Sequence, residues 1–139
     1  MSALVLREDR DGVATLTFNR PEALNALSPS MFVELRSHVD AIAASPESVG
    51  CVVVRGAGRS FSAGNDIKAI QGGDRAPSAH FQAETIDAIE ALPQPVIAQV
   101  HGHCYTGALE VALGCDFIVA GESARFADTH GKWSMTPTW

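Results

Sequence analysis

Basic residues, cysteines and long apolar runs are all scarce in this 139-residue chain. It has 10 Lys and Arg against 16 Asp and Glu, a formal net charge of −6, and no basic cluster. Such a chain would repel a polyanion at long range, which argues against a nucleic acid or an anionic membrane as a partner. The apolar segments are too short to cross a bilayer, and the N-terminus lacks a basic region followed by a long apolar run. We therefore expect a soluble, cytoplasmic protein.

The three cysteines are too few and too widely spaced for a disulfide framework or a zinc site. Cys51, Cys104 and Cys115 each lie in an apolar stretch, which favours buried, reduced thiols. The pair His101 and His103 offers two metal ligands, but no Cys or Asp at a suitable spacing suggests a third. We expect no metal site.

The length and the apolar content indicate one domain. With 46% hydrophobic residues, 139 residues suffice for one ordinary core and are too few for two. Neither a linker nor an internal repeat interrupts the sequence. Residues 1–139 are therefore predicted to form a single α/β domain, with elements in the order β-β-α-β-α-β-α-β.

Strands are predicted where β-prone residues cluster between turn signals. Asp11-Gly12 is a strong turn signal, so the flanking segments 3–6 and 13–18 are predicted to form a hairpin. Two continuously apolar runs, 51–55 and 95–100, predict strands covered on both faces. Shorter runs predict further strands at 117–120 and 124–127.

Helices are predicted where apolar residues recur at near-helical spacing after a capping residue. Ser28-Pro29 begins the first helix, which is expected to run to about residue 44. Ser78 is predicted to cap the second helix, which ends before Pro93. The third helix is predicted over 108–114 and ends at Gly114.

Two segments have the composition of an anion-stabilising site. The loop 61–68 carries a glycine after a buried strand, and such a turn exposes successive backbone N–H groups. Gly107 lies at a predicted helix start, where unpaired N–H groups favour negative charge, so the two segments could together form an oxyanion hole. Glu110 follows one turn later, and is either a carboxylate on the helix surface or a group that reaches a substrate beside the polarised oxygen.

Five strings occur in order along the chain, and together they are specific: 19–27, 59–68, 92–98, 102–110, and 115–116 followed by 124–126. In sequence and spacing they resemble the enoyl-CoA hydratase/isomerase (crotonase) family over essentially the whole chain. The resemblance implies a crotonase-like spiral of ββα units. This chain would hold the N-terminal part of that core and lack the C-terminal helical region.

By position, the resemblance assigns site residues in this sequence. The oxyanion hole falls on the N–H groups of Asn65 and Gly107, although Asn65 stands where the family usually has alanine. Glu110 matches the first of two catalytic glutamates of the hydratases. The second falls on His130, which is then a general base at neutral pH or a surface histidine without a role. The residues that match the coenzyme A (CoA) path are Ala63, Gly64, Asp66, Ile67 and Lys68.

The resemblance also implies a reaction and a partner. It implies an enoyl-CoA hydratase, which adds water to a 2-enoyl-CoA through an oxyanion-stabilised enolate and needs no cofactor beyond the CoA of its acyl-CoA substrate. The alternatives are an isomerase, a hydrolase or decarboxylase that uses one carboxylate, and a truncated acyl-CoA-binding remnant without activity. The family forms trimers or dimers of trimers, so we expect a homo-oligomer. An exposed apolar surface is expected near residues 126–139.

Overall fold

The computed structural model describes residues 2–139. Within that range the chain forms seven strands, which in chain order are β1 (Val5–Arg10), β2 (Val13–Phe18), β3 (Cys51–Gly56), β4 (Val96–Val100), β5 (His103–Tyr105), β6 (Phe117–Ala120) and β7 (Arg125–Ala127). The helices of the same residues are α1 (Pro29–Ala43), α2 (Ile67–Gln71), α3 (Phe81–Glu90) and α4 (Gly107–Leu113), with 3-10 turns at Pro21–Ala23 and His130–Trp133. None of these helices is both long and apolar enough to span a membrane.

Five strands form the main sheet in the order β1-β2-β3-β4-β6. β1 is antiparallel to β2, and the remaining neighbours are parallel. Parallel neighbours need a crossover connection, and helical segments provide it here. β5 and β7 form a separate parallel pair. Because β5 follows β4 after only two residues, this second pair lies close to the carboxyl end of the main sheet.

The core is built from alternate residues of the sheet and one face of α1. In β2, Ala14, Leu16 and Phe18 are fully buried, and they belong to one cluster with the buried residues of α1. Helix α1 contributes apolar side chains at the predicted helical spacing: Met31, Phe32, Leu35, Val39 and Ile42. α1 also packs on α3. The hydrophobic stripe predicted for the first helix is therefore confirmed.

The other face of the main sheet is open, which corrects one prediction. β3 and β4 were expected to be covered on both faces, but Arg55 and Gln99 are exposed and face each other across the two strands. Side chains alternate between the faces of a strand, so one buried face accounts for every second residue. The continuous apolar runs predicted a second layer of structure on the other face of the sheet, and residues 2–139 do not form one.

The edge strand β6 is exposed along its whole length. The exposed fractions of Phe117 and Val119 are 63% and 59%, and nearby Leu113 is 64% exposed. A strand was predicted here, and its existence is confirmed. Its exposure leaves an apolar edge on the described part of the chain.

The predicted cap of the first helix and the predicted hairpin turn are both confirmed, because each depends only on neighbouring residues. Ser28 caps α1 as predicted, since its side chain accepts a hydrogen bond from the N–H of Met31. Asp11 and Gly12 form the hairpin turn, with φ of 51° and 78°. This two-residue turn lets pairing continue to Arg10 and Val13, so β1 covers 5–10 rather than the predicted 3–6.

Three other predictions from local sequence differ from the structure: the start of the second helix, and the two short elements α2 and β5, which were not predicted. Ser78 does not cap the second helix, because α3 begins three residues later and its N-cap, His80, makes no side-chain cap bond. The short helix α2 was not predicted, although Asp66 caps it by accepting from the N–H of Ala69. Strand β5 was also missed, since three residues carry too little pattern to detect.

Two of the three cysteines are buried as expected. Burial raises the pKa of the Cys104 thiol to about 12, and the same cause raises the pKa of Cys115 to about 12. Both thiols are therefore protonated at neutral pH. Cys51 lies on the open face of the sheet and is only half-buried.

The buried side chain of Asn25 joins two loops beside the sheet. Its Oδ1 accepts a hydrogen bond from the N–H of Arg20 at 2.8 Å. Its Nδ2 donates to the carbonyls of Ala57 and Ser60 at 2.8 and 2.9 Å. Three backbone groups of the loops that follow β2 and β3 thus depend on one amide.

Asn25→Ala should lower the free energy of unfolding by about 1–3 kcal/mol, because it leaves buried backbone groups without partners. The left-handed φ of 53° at Asn25 adds to the cost of alanine. The measurement is urea denaturation followed by circular dichroism. Asn19→Ala is the matched control, since the side chain of Asn19 donates one surface bond to Ala3. Equal destabilisation by the two variants would contradict this role of Asn25.

Candidate active site

The loop 61–65 runs alongside β5, which brings the two predicted anion-stabilising segments together. The N–H of Phe61 donates to the carbonyl of His101 at 2.7 Å. The N–H of Ser62 donates to His103 at 2.9 Å, and the N–H of Tyr105 returns a bond to Ser62 at 3.3 Å. These backbone bonds set the register of the loop against the start of α4.

Gly64 lets the two segments approach more closely than any side chain would permit. It is buried with φ of 98°, a left-handed conformation that favours glycine. A Cβ built on it would overlap Thr106 Oγ1 and lie 2.7 Å from the carbonyl oxygen of Tyr105. Asn65 follows Gly64 and Gly107 follows Thr106, so the two predicted oxyanion donors belong to adjacent segments.

Thr106 holds a conformation that is rare for a β-branched residue. Its φ and ψ are 48° and −118°, and such a conformation costs about 1–3 kcal/mol. Two bonds hold it in place: its N–H donates to the carbonyl of Ala127 at 2.9 Å, and its carbonyl accepts from Glu110 at 3.1 Å. Thr106 therefore turns the chain sharply from β5 into α4, with Gly107 as the first helical residue.

The backbone N–H groups of Asn65 and Gly107 have no acceptor in the described part of the chain. The Gly107 N–H has no acceptor because it belongs to the first turn of α4. The Asn65 side chain lies beside Gly107, and its buried Oδ1 has no partner among the described residues.

Glu110 and His130 lie side by side in the same region. Their side chains are 11% and 6% exposed, and Glu110 Oε2 is 3.4 Å from His130 Nε2. The other ring nitrogen of His130, Nδ1, is 2.6 Å from Asp128 Oδ1. Hydrogen bonds from the ring and the backbone N–H of His130 lower the pKa of Asp128. The ring of His130 is therefore buried against Glu110 and does not lie at the surface.

Trp139 also contacts this region. Its backbone N–H donates to Glu110 Oε1 at 3.0 Å. Its indole packs against Gly107 and meets the Phe32 ring edge-on, with centroids 4.9 Å apart. The expected apolar surface near 126–139 is present at Phe126, Trp133 and Met135, which are exposed, whereas Trp139 is partly buried.

A groove of about 520 Å³ adjoins the loop 61–68. Four of the predicted residues line it, namely Asn65, Asp66, Ile67 and Lys68, together with Arg20, Ala23, Ala26 and Ala69. Ala63 and Gly64 do not line it, since their backbones pair with neighbouring segments. A second groove, of about 530 Å³, lies on the open sheet face around Arg55 and Gln99, and none of the predicted site residues lines it.

Asp66 is the one carboxylate among the five predicted CoA-path residues, and its side chain is 9% exposed. Burial alone would raise its pKa, but hydrogen bonding from the N–H of Ala69 and the Arg20 guanidinium outweighs this, so the pKa is lowered. The Arg20 Nη1 is 2.7 Å from Asp66 Oδ2. This ion pair joins the segment after β2 to the start of α2.

Three residues of the site were missed from the sequence: Arg20, Asp128 and Trp139. The spacing Asp-x-His at 128–130 is a signal for the carboxylate beside His130, because an aspartate commonly bonds the backbone two residues on. Arg20 and Trp139 contact the site from 46 and 29 residues away, so no local pattern identifies them.

Comparison with known proteins decides the family. The family model for enoyl-CoA hydratase/isomerase matches residues 8–139. The chain belongs to the enoyl-CoA hydratase/isomerase family. The predicted crotonase-like α/β fold, incomplete relative to the family, is confirmed by high similarity to solved members that extend over about twice its length.

Individual members of the family each match nearly all of this chain but only about half of their own length. The chain is 37% identical over 138 residues to an enoyl-CoA hydratase of Mycobacterium tuberculosis. The matched region covers 95% of this chain and 52% of that protein. It is 34% identical over 137 residues to a crotonyl-CoA hydratase of Syntrophomonas wolfei, covering 96% and 52%. A crystal structure of an enoyl-CoA hydratase/isomerase from Xanthobacter autotrophicus matches with a TM-score of 0.88 and 38% identity, covering 96% and 51%. The chain spans about half the length of the curated relatives it matches.

Asp66→Asn should make unfolding less dependent on acid pH. Because the pKa of Asp66 is lowered in the folded state, its contribution to stability is full above the unfolded pKa of about 3.9 and is lost as pH falls below it. The measurement is the free energy of unfolding between pH 3 and pH 7. Asp87→Asn, at an exposed position of α3, is the control and should follow the wild-type profile. A D66N profile parallel to that of the wild type would contradict the assignment.

Proposed function

We propose that this chain carries an enoyl-CoA hydratase site, which adds water across the double bond of a 2-enoyl-CoA. The observation that carries the proposal is that the N–H groups of Asn65 and Gly107, which donate to no acceptor within residues 2–139, belong to adjacent segments beside the Glu110–His130 pair. The names of the curated relatives support the same reaction class. The substrate, the reaction and the activity of this chain are all part of the proposal.

In the proposed reaction, the thioester oxygen accepts hydrogen bonds from the N–H groups of Asn65 and Gly107. This withdraws electron density from the double bond and stabilises the enolate that forms. Loss of one such donor costs about 3–4 kcal/mol in comparable sites, so the oxyanion hole is expected to matter as much as the acid–base groups.

Glu110 supplies the base in this proposal. Its carboxylate takes a proton from water as the oxygen attacks C3, and the enolate is then protonated at C2. His130 stands in the place of a second carboxylate. The 3.4 Å contact between His130 Nε2 and Glu110 Oε2 supports their acting as a pair.

The groove beside α2 is the proposed path for CoA. Lys68 is exposed along it and offers positive charge in a chain with a net charge of −6, whereas the charge of Arg20, which also lines it, is paired with Asp66. Ile67, which is 37% exposed, adds an apolar wall. Ala63 and Gly64 contribute by positioning this loop. No cofactor besides the CoA of the substrate is needed for hydration.

We also propose that the chain self-associates. The exposed apolar residues Leu113, Phe117 and Val119 support this, since apolar patches of this kind commonly mark contact surfaces. A cytoplasmic location is part of the same proposal and rests on the sequence.

A second candidate function is acyl-CoA binding without turnover. The Trp139 N–H already occupies Glu110 Oε1, and its indole lies against Gly107, which restricts access to the proposed oxyanion hole. A side-by-side assay separates the candidates. Wild-type chain should hydrate crotonyl-CoA and leave 3-enoyl and malonyl-type CoA esters unchanged. Binding of these esters by calorimetry with no turnover of any of them would support the second candidate instead.

Glu110→Gln should lower the rate of crotonyl-CoA hydration by about 10²–10⁴-fold, because glutamine cannot accept the proton from water. The affinity for a non-reactive acyl-CoA, measured by calorimetry, should change little. Glu90→Gln, at an exposed position of α3, is the matched control and should keep the wild-type rate. Unchanged turnover in E110Q would refute the assignment of Glu110 as the base.

A further inference from the structure

The ring of His130 lies between two carboxylates at unequal distances. Nδ1 is 2.6 Å from Asp128 Oδ1, whereas Nε2 is 3.4 Å from Glu110 Oε2. The same oxygen of Asp128 also accepts the backbone N–H of His130 at 3.1 Å. Among residues 2–139, these two carboxylates are the ionisable groups within ion-pair distance of the ring.

These distances fix where the protons of the ring lie. An ionised carboxylate only accepts, so the short contact to Asp128 requires a hydrogen on Nδ1. A neutral imidazole carries one ring hydrogen, which leaves a lone pair on Nε2. A favourable contact with Glu110 then requires one further proton, on Nε2 or on the carboxylate. In the proposed reaction, one exchangeable proton lies between Glu110 Oε2 and His130 Nε2, which are 3.4 Å apart.

We propose that Asp128 is a positioning residue, which holds the His130 ring with Nδ1 protonated and Nε2 directed at Glu110. The catalytic part of this inference rests on the proposed function. With the shared proton on Nε2, Glu110 is free to take a proton from water as the C3–O bond forms. The electron pair of the double bond moves toward the thioester, and Nε2 then delivers its proton to C2. The proton that Glu110 gained restores Nε2, so the pair ends as it began.

Because Asp128 is exposed, its effect on the orientation of His130 can be tested without unfolding the chain. Its side chain is 57% exposed, and hydrogen bonds and ion pairs of exposed carboxylates contribute little to stability. Loss of this carboxylate should therefore leave the fold intact. The ring of His130 is buried, and it would lose its partner at Nδ1. Neutral histidine would then be free to carry its hydrogen on Nε2 instead.

Asp128→Ala tests the inference, and two readouts are needed. The first is ¹⁵N NMR of histidine-labelled chain, in which the ring-nitrogen shifts report the protonated nitrogen. Wild type should show a protonated Nδ1, and in D128A Nδ1 should lose its hydrogen, which then lies on Nε2. The second is crotonyl-CoA hydration, in which kcat should fall about 10–100-fold with KM nearly unchanged, the range known for residues that orient a metal-binding histidine.

Two further variants serve as a rescue and as a control. Asp128→Asn retains an acceptor for Nδ1–H, so it should restore the wild-type tautomer and much of the rate. Thr129→Ala alters the adjacent residue, whose side chain makes no cap bond, and should match wild type in both readouts. The urea midpoints of all variants should agree, which shows that the fold is kept.

The outcomes distinguish this inference from the proposed function. If wild type does not hydrate crotonyl-CoA but D128A still changes the tautomer, the positioning role stands and the hydratase proposal fails. If wild type is active and D128A changes neither the tautomer nor kcat, the positioning role is overturned while the hydratase proposal stands. A loss of rate in D128A that D128N does not restore, with the tautomer unchanged, also overturns it.

Discussion

The close approach of Gly64 to Thr106 is the constraint on which the candidate site depends. Gly64 lies where a single added carbon would overlap Thr106, and Thr106 itself adopts a backbone conformation that L-residues rarely occupy. The residues that follow them, Asn65 and Gly107, present the two N–H groups. If either segment moved outward to accept a side chain, the two donors would separate. Glu110 depends on the same turn, because it lies in the first turn of the helix that Thr106 begins.

The surrounding fold supplies the rigidity that this constraint needs. The main sheet and α1 form a well-buried core on one face, and the β5–β7 pair anchors Thr106 through Ala127. Asn25 holds the loops that follow β2 and β3 together at the same end of the sheet. Bonds elsewhere therefore stabilise the strained Thr106 and the Oδ1 of Asn65, which has no partner among residues 2–139, as is common where a site requires an unfavourable local conformation.

Sequence reasoning predicted the parts of the fold that neighbouring residues decide. The Ser28 cap and the Asp11-Gly12 turn are local, and both were predicted correctly. The Ser78 cap was wrong because tertiary packing decides where α3 begins. The prediction that β3 and β4 are covered on both faces was wrong, because an apolar run does not say which neighbours are present.

In the candidate site too, the residues that could not be predicted are those that distant parts of the chain bring in. The resemblance brought together Asn65, Gly107, Glu110 and His130, which lie together in the structure. Arg20 and Trp139 could not be predicted, since they approach the site from distant parts of the chain. Asp128 is the exception, because it lies only two residues from His130. The signal was present in the sequence, but its importance depends on the burial of the ring.

The exposed edge strand β6 has a consequence for the behaviour of the chain in solution. Within residues 2–139, the backbone groups on its outer side have no neighbouring strand, and its side chains are exposed and apolar. Such an edge can template edge-to-edge pairing between molecules, which leads to aggregation. Charge repulsion from the net charge of −6 opposes that pairing. Solubility is therefore set by a balance between one uncovered strand and the acidic surface, and it should decrease as salt screens the charge.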